Sequence, residues 1–152
     1  MKLDLKDIQL LALLQEDSKR TTKEFANHLD LSVTAVYERI KRLEKSGVVT
    51  KYVALVSKEK VDRAFMVLCH VKLVQHTKNN VLKFEKEVVA LNEVVECYHT
   101  SGDYDYILKI YVSDMAAYRN FMVTKLTALD HIGSTQSSFV INEVKHTTRI
   151  PL

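Results

Sequence analysis

The sequence predicts an α+β protein in which an amino-terminal winged helix-turn-helix precedes a ferredoxin-like βαββαβ domain. Three helical patterns separated by short turns fill the first part of the chain, and strand and helix patterns alternate in the rest. Only three glycines and one proline interrupt 152 residues, so regular structure should dominate. We assign residues 1–52 to the winged helix-turn-helix, 53–64 to a polar linker and 65–152 to the second domain.

Capping residues set the starts of the three helices. Asp4 precedes an apolar pattern of helical spacing over residues 5–14, from Leu5 onward, which predicts the first helix. Thr21 and Glu24 stand three apart, as in a capping box, and predict a short second helix. Ser32 follows that helix almost at once, so the third helix must leave it at a sharp angle.

The third helix has an apolar stripe, Val36, Ile40 and Leu43, and a polar opposite face. Glu38 and Glu44 could simply pair with neighbouring cations on a solvated helix. The short helix and tight turn in front instead favour a helix-turn-helix, whose second helix lies in the major groove, with its first residues at bases and its cations at phosphates. The candidate DNA contacts are Thr22, Ser32, Val33, Thr34, Tyr37, Glu38, Arg39, Lys41, Arg42 and Lys45.

After Gly47, a residue type expected at a helix end, apolar and polar residues alternate over 48–55. This alternation predicts a short hairpin or strand pair, the wing.

Charge and composition narrow the partners. Residues 1–60 hold 12 lysines and arginines against 9 acidic residues, so the whole net charge of +3 lies there, which suggests an anionic partner. No apolar run is long enough to span a membrane and no signal peptide is present, so we expect a cytoplasmic protein. Cys69 and Cys97 are too few for a disulfide framework and are expected in the core.

The second domain is predicted strand by strand. Residues 65–74 alternate strictly, with Val67, Cys69 and Val71 on one face and Met66 and Leu68 on the other. A helix should follow its cap Thr77, and another its cap Ser113 or Asp114. Further strands are predicted over residues 93–101, 104–112 and 134–144. The helices would cover one face of the sheet and leave the other free for a subunit. The final HTTRIPL receives no role.

The stretch from Leu31 to Tyr52 carries the pattern L-S-x-x-x-V-x-x-R-I-x-x-L-E-x-x-G-V-V-x-x-Y, and it resembles the Lrp/AsnC family of transcription factors. The resemblance covers essentially the whole chain and implies a regulator that binds double-stranded DNA as a homodimer, assembling further to an octamer. Arg39 occupies the arginine of the pattern. Its position beside the apolar stripe leaves two readings open, a phosphate contact and a structural ion pair with a glutamate.

A second motif, SGDYDYILKI from Ser101, resembles the hallmark of that family's effector-binding domain. A glycine turn between strands offers backbone N–H groups to a carboxylate, and Asp103 and Asp105 offer acceptors to an ammonium group, as an amino acid requires. Asp103 could instead only stabilise the turn. The resemblance implies a site between two dimers, where the loop faces Thr135 and Ser137, the latter replacing a threonine. The candidate effector contacts are Thr100, Ser101, Gly102, Asp103, Tyr104, Asp105, Thr135 and Ser137.

Other classes of function have less support. The six histidines have no metal-ligand spacing, and no nucleophile, phosphate loop or dinucleotide motif stands near the two aspartates, so we expect neither a metal, a cofactor nor an enzyme. A decarboxylase of the haem pathway built on a similar two-part fold, and a DNA-packing protein without an effector, remain as alternatives.

Overall fold

The computed structural model describes residues 2–152 and divides them into two compact units. One unit runs up to Leu55 and also takes in Val144–Leu152, and the other is Val56–Glu143. The division therefore differs from the predicted boundaries at the carboxyl terminus, because residues 144–152 pack with the amino-terminal helices. None of the described helices has the length and apolarity needed to cross a membrane.

The first unit contains the three predicted helices, each with its predicted cap. Asp4 Oδ1 accepts from the N–H of Asp7, Thr21 Oγ1 from that of Glu24, and the Ser32 hydroxyl from that of Ala35. These caps satisfy backbone donors that a helix start leaves free. The helices are α1 Leu5–Glu16, α2 Thr22–Leu29 and α3 Val33–Lys45.

The core of this unit lies between the apolar faces of the three helices. Val36 and Leu43 are fully buried and Ile40 is partly buried, as the stripe predicts. Leu5 was expected in the stripe of α1 but is exposed, because the first residue of the helix lies beyond the packed turns. The buried apolar side chains are Leu10, Leu11, Leu14, Phe25, Ala26, Leu29, Val36 and Leu43.

Two residues with positive φ shape the turns. Asp30 ends α2 at φ 51°, a left-handed conformation that a short polar residue tolerates, and this lets α3 begin three residues later. Gly47 follows α3 at φ 75°, and the N–H groups of Val48 and Val49 both donate to the carbonyl of Leu43. Together these turns define the helix-turn-helix.

The predicted wing is wrong. In the described part of the chain, residues 48–55 form no strand, and most of them, including the apolar Val53 and Leu55, are exposed. Alternation indicates an extended backbone, but a strand pair also needs a neighbour to accept its hydrogen bonds. The first unit is thus a helix-turn-helix followed by a mostly exposed segment, residues 48–55, which the structure describes without regular secondary structure.

The second unit is the predicted ferredoxin-like domain. Its four antiparallel strands lie in the order β2-β3-β1-β4. The strands are β1 Phe65–Leu73, β2 Val94–His99, β3 Tyr106–Val112 and β4 Ile132–Phe139. The helices are α4 Lys78–Val88, capped by Thr77, and α5 Met115–Phe121, capped by Asp114 and continued by a π-helical turn, Met122–Leu126. β4 ends at Phe139, five residues before the predicted end of that strand. The N–H of Val140 still donates to the carbonyl of Met66 at 3.1 Å, and residues 141–144, all of them described, form no strand.

Alternation along β1 gives the sheet two different faces. Val67, Cys69 and Val71 are buried in one core with Phe84 of α4 and Phe121 of α5, so this face packs against the helices. The other face carries Met66, Leu68 and His70 of β1 together with Ile107 of β3, all partly buried. We call this second surface the open face of the sheet.

Candidate DNA-binding and effector sites

A buried carboxylate joins the first helix to the third. Asp7 is only 1% exposed, and its Oδ1 accepts hydrogen bonds from Arg39 Nη1 at 2.7 Å and Arg42 Nη2 at 2.6 Å. Arg42 Nη2 also lies 2.8 Å from Asp7 Oδ2, and Arg39 Nη1 lies 2.7 Å from Asp4 Oδ2. We call these four side chains the Asp7 clamp. Of the two readings left open for Arg39, the structure contains the ion pair, with the aspartates Asp4 and Asp7 as partners in place of the expected glutamate.

The pKa of Asp7 reflects two opposing effects. Burial acts to raise it, but the backbone N–H of Asp4 and the guanidinium groups of Arg39 and Arg42 outweigh burial and hold the pKa below its ordinary value. Asp7 therefore stays ionised at neutral pH. Asp7 is not among the functional residues predicted from the sequence. It could have been recognised as an acidic residue inside an apolar helical pattern, three residues after the capping aspartate Asp4.

The solvent side of α3 holds most of the predicted DNA contacts. Thr34, Tyr37 and Glu38 are exposed along its first two turns, and Val33 is about half exposed. The cations toward the end of the helix differ in their ion-pair partners. Lys41 Nζ lies 3.1 Å from Glu44 Oε2, and Arg42 belongs to the Asp7 clamp although 49% of its side chain is exposed. Within residues 2–152, Lys45 is exposed and makes no ion pair.

Two further predicted contacts have local structural roles. The Ser32 hydroxyl caps α3, and Thr22 is the first residue of α2, partly buried beside its cap. Lys41 Nζ lies 5.8 Å from the centroid of the Tyr37 ring, and this cation–π contact restrains both side chains on the exposed face. The structure thus brings most of the predicted set onto one face of α3 and engages Arg39 with α1.

The predicted effector loop is a closed turn between β2 and β3. Gly102 has φ 124°, a conformation open to glycine and strained for other residues. The N–H of Thr100 donates to the carbonyl of Asp105 at 2.8 Å, and Thr100 Oγ1 donates to the carbonyl of Tyr104 at 3.2 Å. These bonds close the turn and leave Ser101, Gly102 and Asp103 exposed at its tip.

The two aspartates of the loop have different environments. Asp105 Oδ2 accepts from the N–H of Leu73 at 2.7 Å, and its Oδ1 lies 2.8 Å from His76 Nε2. Burial acts to raise the pKa of Asp105, but the Leu73 N–H and His76 outweigh it and lower the pKa. Asp105 therefore anchors the loop to the end of β1, whereas Asp103 faces solvent.

Thr135 and Ser137 lie on the helix-facing side of β4. They pair with Val71 and Cys69, whose side chains are buried in the helix-side core, and the Ser137 hydroxyl lies 2.6 Å from the Tyr118 hydroxyl. Burial raises the pKa of Tyr118 to about 12, so its hydroxyl remains protonated. Ser137 is therefore already occupied within its own chain.

Two residues outside the predicted set, Gln136 of β4 and His70 of β1, contact the predicted loop residue Tyr104 on the open face. Tyr104 OH donates to Gln136 Oε1 at 2.8 Å, and the Tyr104 ring lies 5.5 Å from that of His70. Gln136 stands between Thr135 and Ser137 and so points to the opposite face of the sheet. Strict alternation was the signal that could have identified it. In the part of the chain that the structure describes, no group of three or more potential ligands is placed to hold a metal ion.

A helix-turn-helix joined to a ferredoxin-like domain with a glycine-turn loop combines the parts that a ligand-responsive DNA-binding regulator needs. Residues 3–44 match the AsnC-type helix-turn-helix domain and residues 66–150 match the Lrp/AsnC ligand binding domain. The chain belongs to the Lrp/AsnC family of transcriptional regulators. It is a regulator and not an enzyme, so the decarboxylase alternative is withdrawn.

Individual relatives agree with this assignment. The leucine-responsive regulatory protein of Haemophilus influenzae is 38% identical over 99% of this chain and 90% of its own length. The Bkd operon transcriptional regulator of Pseudomonas aeruginosa is 30% identical over 99% of both chains. A transcriptional regulator of Neisseria meningitidis, solved in complex with L-Met, has a TM-score of 0.95 and 34% identity over 99% of this chain and 97% of its own. AsnC of Escherichia coli, at 20% identity and a TM-score of 0.90 over 99% of this chain and 100% of its own, shares the fold.

Proposed function

We propose that this regulator binds double-stranded DNA through the exposed face of α3. Thr34, Tyr37 and Glu38, near the start of the helix, would contact bases, and Lys41 and Lys45 would contact phosphates. The observation that supports this most strongly is the Asp7 clamp, which holds Arg39 and Arg42 against α1 while the polar face of α3 stays exposed. Arg39 would then position α3 without contacting DNA. Arg42 would also position α3, although about half of its side chain is exposed.

Replacing Lys45 with alanine is expected to weaken DNA binding equally on all sequences and to reduce the slope of log affinity against log salt by about 0.9, one phosphate contact. Thr34→Ala should instead weaken binding to a selected site more than to random DNA and leave the slope unchanged. Fluorescence anisotropy at several salt concentrations measures both.

The matched control is Lys86→Ala, which removes the same charge from an exposed position on α4 and should change neither quantity. An unaltered slope for Lys45→Ala, or equal losses on selected and random DNA for Thr34→Ala, would contradict this placement of α3.

We further propose that the loop of residues 100–105 binds an amino acid, with backbone N–H groups at its tip facing the carboxylate and Asp103 facing the ammonium group. The exposure of Asp103 and the engagement of Asp105 by Leu73 and His76 favour Asp103 for this role. The L-Met complex of the Neisseria relative supports an amino acid as the ligand. Thr135 would complete the site from another dimer, and Ser137 would join it by giving up its hydrogen bond to Tyr118.

Replacing Asp103 with alanine is therefore expected to weaken the binding of L-methionine and L-leucine at least tenfold, because a charge-assisted hydrogen bond to the ligand is lost. DNA affinity without either amino acid should stay unchanged, because Asp103 is exposed and its removal leaves the fold intact. Isothermal calorimetry measures the first quantity and anisotropy the second. Asp130→Ala, at another exposed aspartate of this unit, serves as the control. Undiminished binding by Asp103→Ala would exclude that carboxylate, and no heat with either amino acid in the unaltered protein would exclude these ligands.

We infer that the regulator is a homodimer formed through the open face of the sheet, and that dimers assemble further to an octamer. The partly buried apolar side chains of Met66, Leu68 and Ile107 lie on this face, opposite the helices. A sheet face of this kind normally packs against another layer. Two helix-turn-helix units in one dimer would read half-sites about 34 Å apart or a multiple of that distance.

A further inference from the structure

The last nine residues belong to the helix-turn-helix unit and not to the unit that precedes them in the chain. Val144–Leu152 pack with the residues up to Leu55, although Val56–Glu143 form the other unit. The side-chain amide of Gln15 on α1 makes hydrogen bonds to both the backbone N–H and the backbone C=O of Ile150 in this segment. Its Nε2 donates to the carbonyl of Ile150 at 3.1 Å, and its Oε1 accepts from the N–H of Ile150 at 2.7 Å.

The local sequence prepares Ile150 for this two-point bond. A residue before proline is restricted to extended conformations, and Pro151 follows Ile150. The N–H and C=O of one extended residue point to the same side, so they match the acceptor and donor of a single glutamine amide. Pro151 itself has no N–H to leave unpaired.

Apolar contacts accompany the bond. Ile150 and Leu152 line a cavity of about 600 Å³ together with Leu11 and Leu14 of α1, which are core residues of the helix-turn-helix. Arg149 lines a second groove with residues of α1 and α2, Leu29 among them. Even so, 67% of Ile150 and 59% of Leu152 remain exposed. Two exposed hydrogen bonds and partial burial make a contact that can open readily.

We propose that residues 144–152 form a detachable strap on α1 and that docking of the strap raises DNA affinity. The reason lies in α1, which carries Gln15 near its end and Asp7 near its start. Asp7 on α1 accepts hydrogen bonds from Arg39 and Arg42 of α3. A strap that stabilises α1 therefore also favours the position of α3 shown in the structure. Binding DNA with an ordered α3 needs less reorganisation than binding it with a loosened one. The part of this inference that concerns DNA rests on the proposed function of α3.

The test uses two variants of the full chain and a matched control. Gln15→Ala removes both bonds to Ile150, a chain ending at His146 removes most of the strap, and Gln75→Ala makes the same substitution at an exposed glutamine outside this unit. Hydrogen exchange of α1 amides, followed by mass spectrometry, reports on α1. Anisotropy over a range of salt concentrations reports on DNA.

For Gln15→Ala we expect exchange in the last two turns of α1 to accelerate about fivefold and DNA affinity to fall about three- to tenfold, with an unchanged salt slope, because no phosphate contact is lost. The shortened chain should behave alike or more strongly, and Gln75→Ala should match the unaltered protein.

Unchanged α1 exchange in both variants would overturn the strap. Faster exchange with undiminished affinity would overturn its link to DNA. A lower salt slope in the shortened chain alone, without an effect of Gln15→Ala, would mean that the segment touches DNA directly, and would also overturn the proposal. If the unaltered protein bound no DNA, the failure would belong to the proposed function of α3, and the exchange measurement would still decide whether the strap steadies α1.

Discussion

Replacing Asp7 with alanine is expected to lower the free energy of unfolding of the helix-turn-helix unit by about 3 kcal/mol and to abolish measurable DNA binding. Removing one partner of a buried ion pair costs about 3–5 kcal/mol, and the partial exposure of Arg39 (23%) and Arg42 (49%) places the expected loss at the lower end. Urea unfolding and hydrogen exchange of α3 amides measure the loss of stability, and anisotropy measures binding.

Dependence on pH separates the charge of Asp7 from its size. Because the folded pKa of Asp7 is depressed, its contribution is complete above the unfolded value of about 3.9 and disappears as the pH falls through the folded pKa. The unaltered protein and Asp7→Asn should therefore differ most near neutral pH and converge under acid conditions. A difference that stayed constant from pH 7 to pH 3 would contradict this account.

A control on the same helix shows the difference between buried and surface pairs. Glu16 pairs with Arg20 at 3.2 Å, with 59% of the Glu16 side chain exposed. Glu16→Ala should have little effect on stability, because exposed pairs contribute little. Equal losses for Glu16→Ala and Asp7→Ala would show that burial of Asp7 is not the source of its effect.

The second large effect is expected from Leu68→Glu on the open face. If this face is the dimer interface, a carboxylate there must be desolvated on association, and the dimer dissociation constant should rise at least a hundredfold. The isolated subunit should still fold, because Leu68 lies opposite Lys109 of β3 and only partly buried. Losing the dimer also removes simultaneous binding to two half-sites, so affinity for a paired site should fall by about 10² or more.

Sedimentation velocity measures the mass of this variant, and circular dichroism checks its fold. The control is Leu82→Glu, the same substitution at an exposed leucine of α4 in the helix layer. A dimer that survives Leu68→Glu while remaining folded would exclude the open face as the interface. Dissociation by Leu82→Glu alone would move the interface to the helices.

Local patterns were enough to predict each helix and strand of the protein. The caps Asp4, Thr21 and Ser32 lie where their residue types and spacing predict them, because capping bonds join residues only three apart. The alternation of β1 predicted its two faces, because side-chain direction along a strand also depends only on neighbouring residues. Where pairing with a distant segment was needed, as for the wing over residues 48–55 and the end of β4, the local pattern did not suffice.

By itself, the sequence determined the α+β class, the order of elements, the helix-turn-helix and the glycine loop, since each depends on neighbours along the chain. Only the tertiary structure decided that Arg39 pairs with Asp7, that Asp105 anchors its loop through Leu73 and His76, and that the last residues pack on Gln15. Those contacts join residues 29 to 135 positions apart. Their outcome depends on which distant polar groups folding brings together and shields from water, and no pattern within a short window records that.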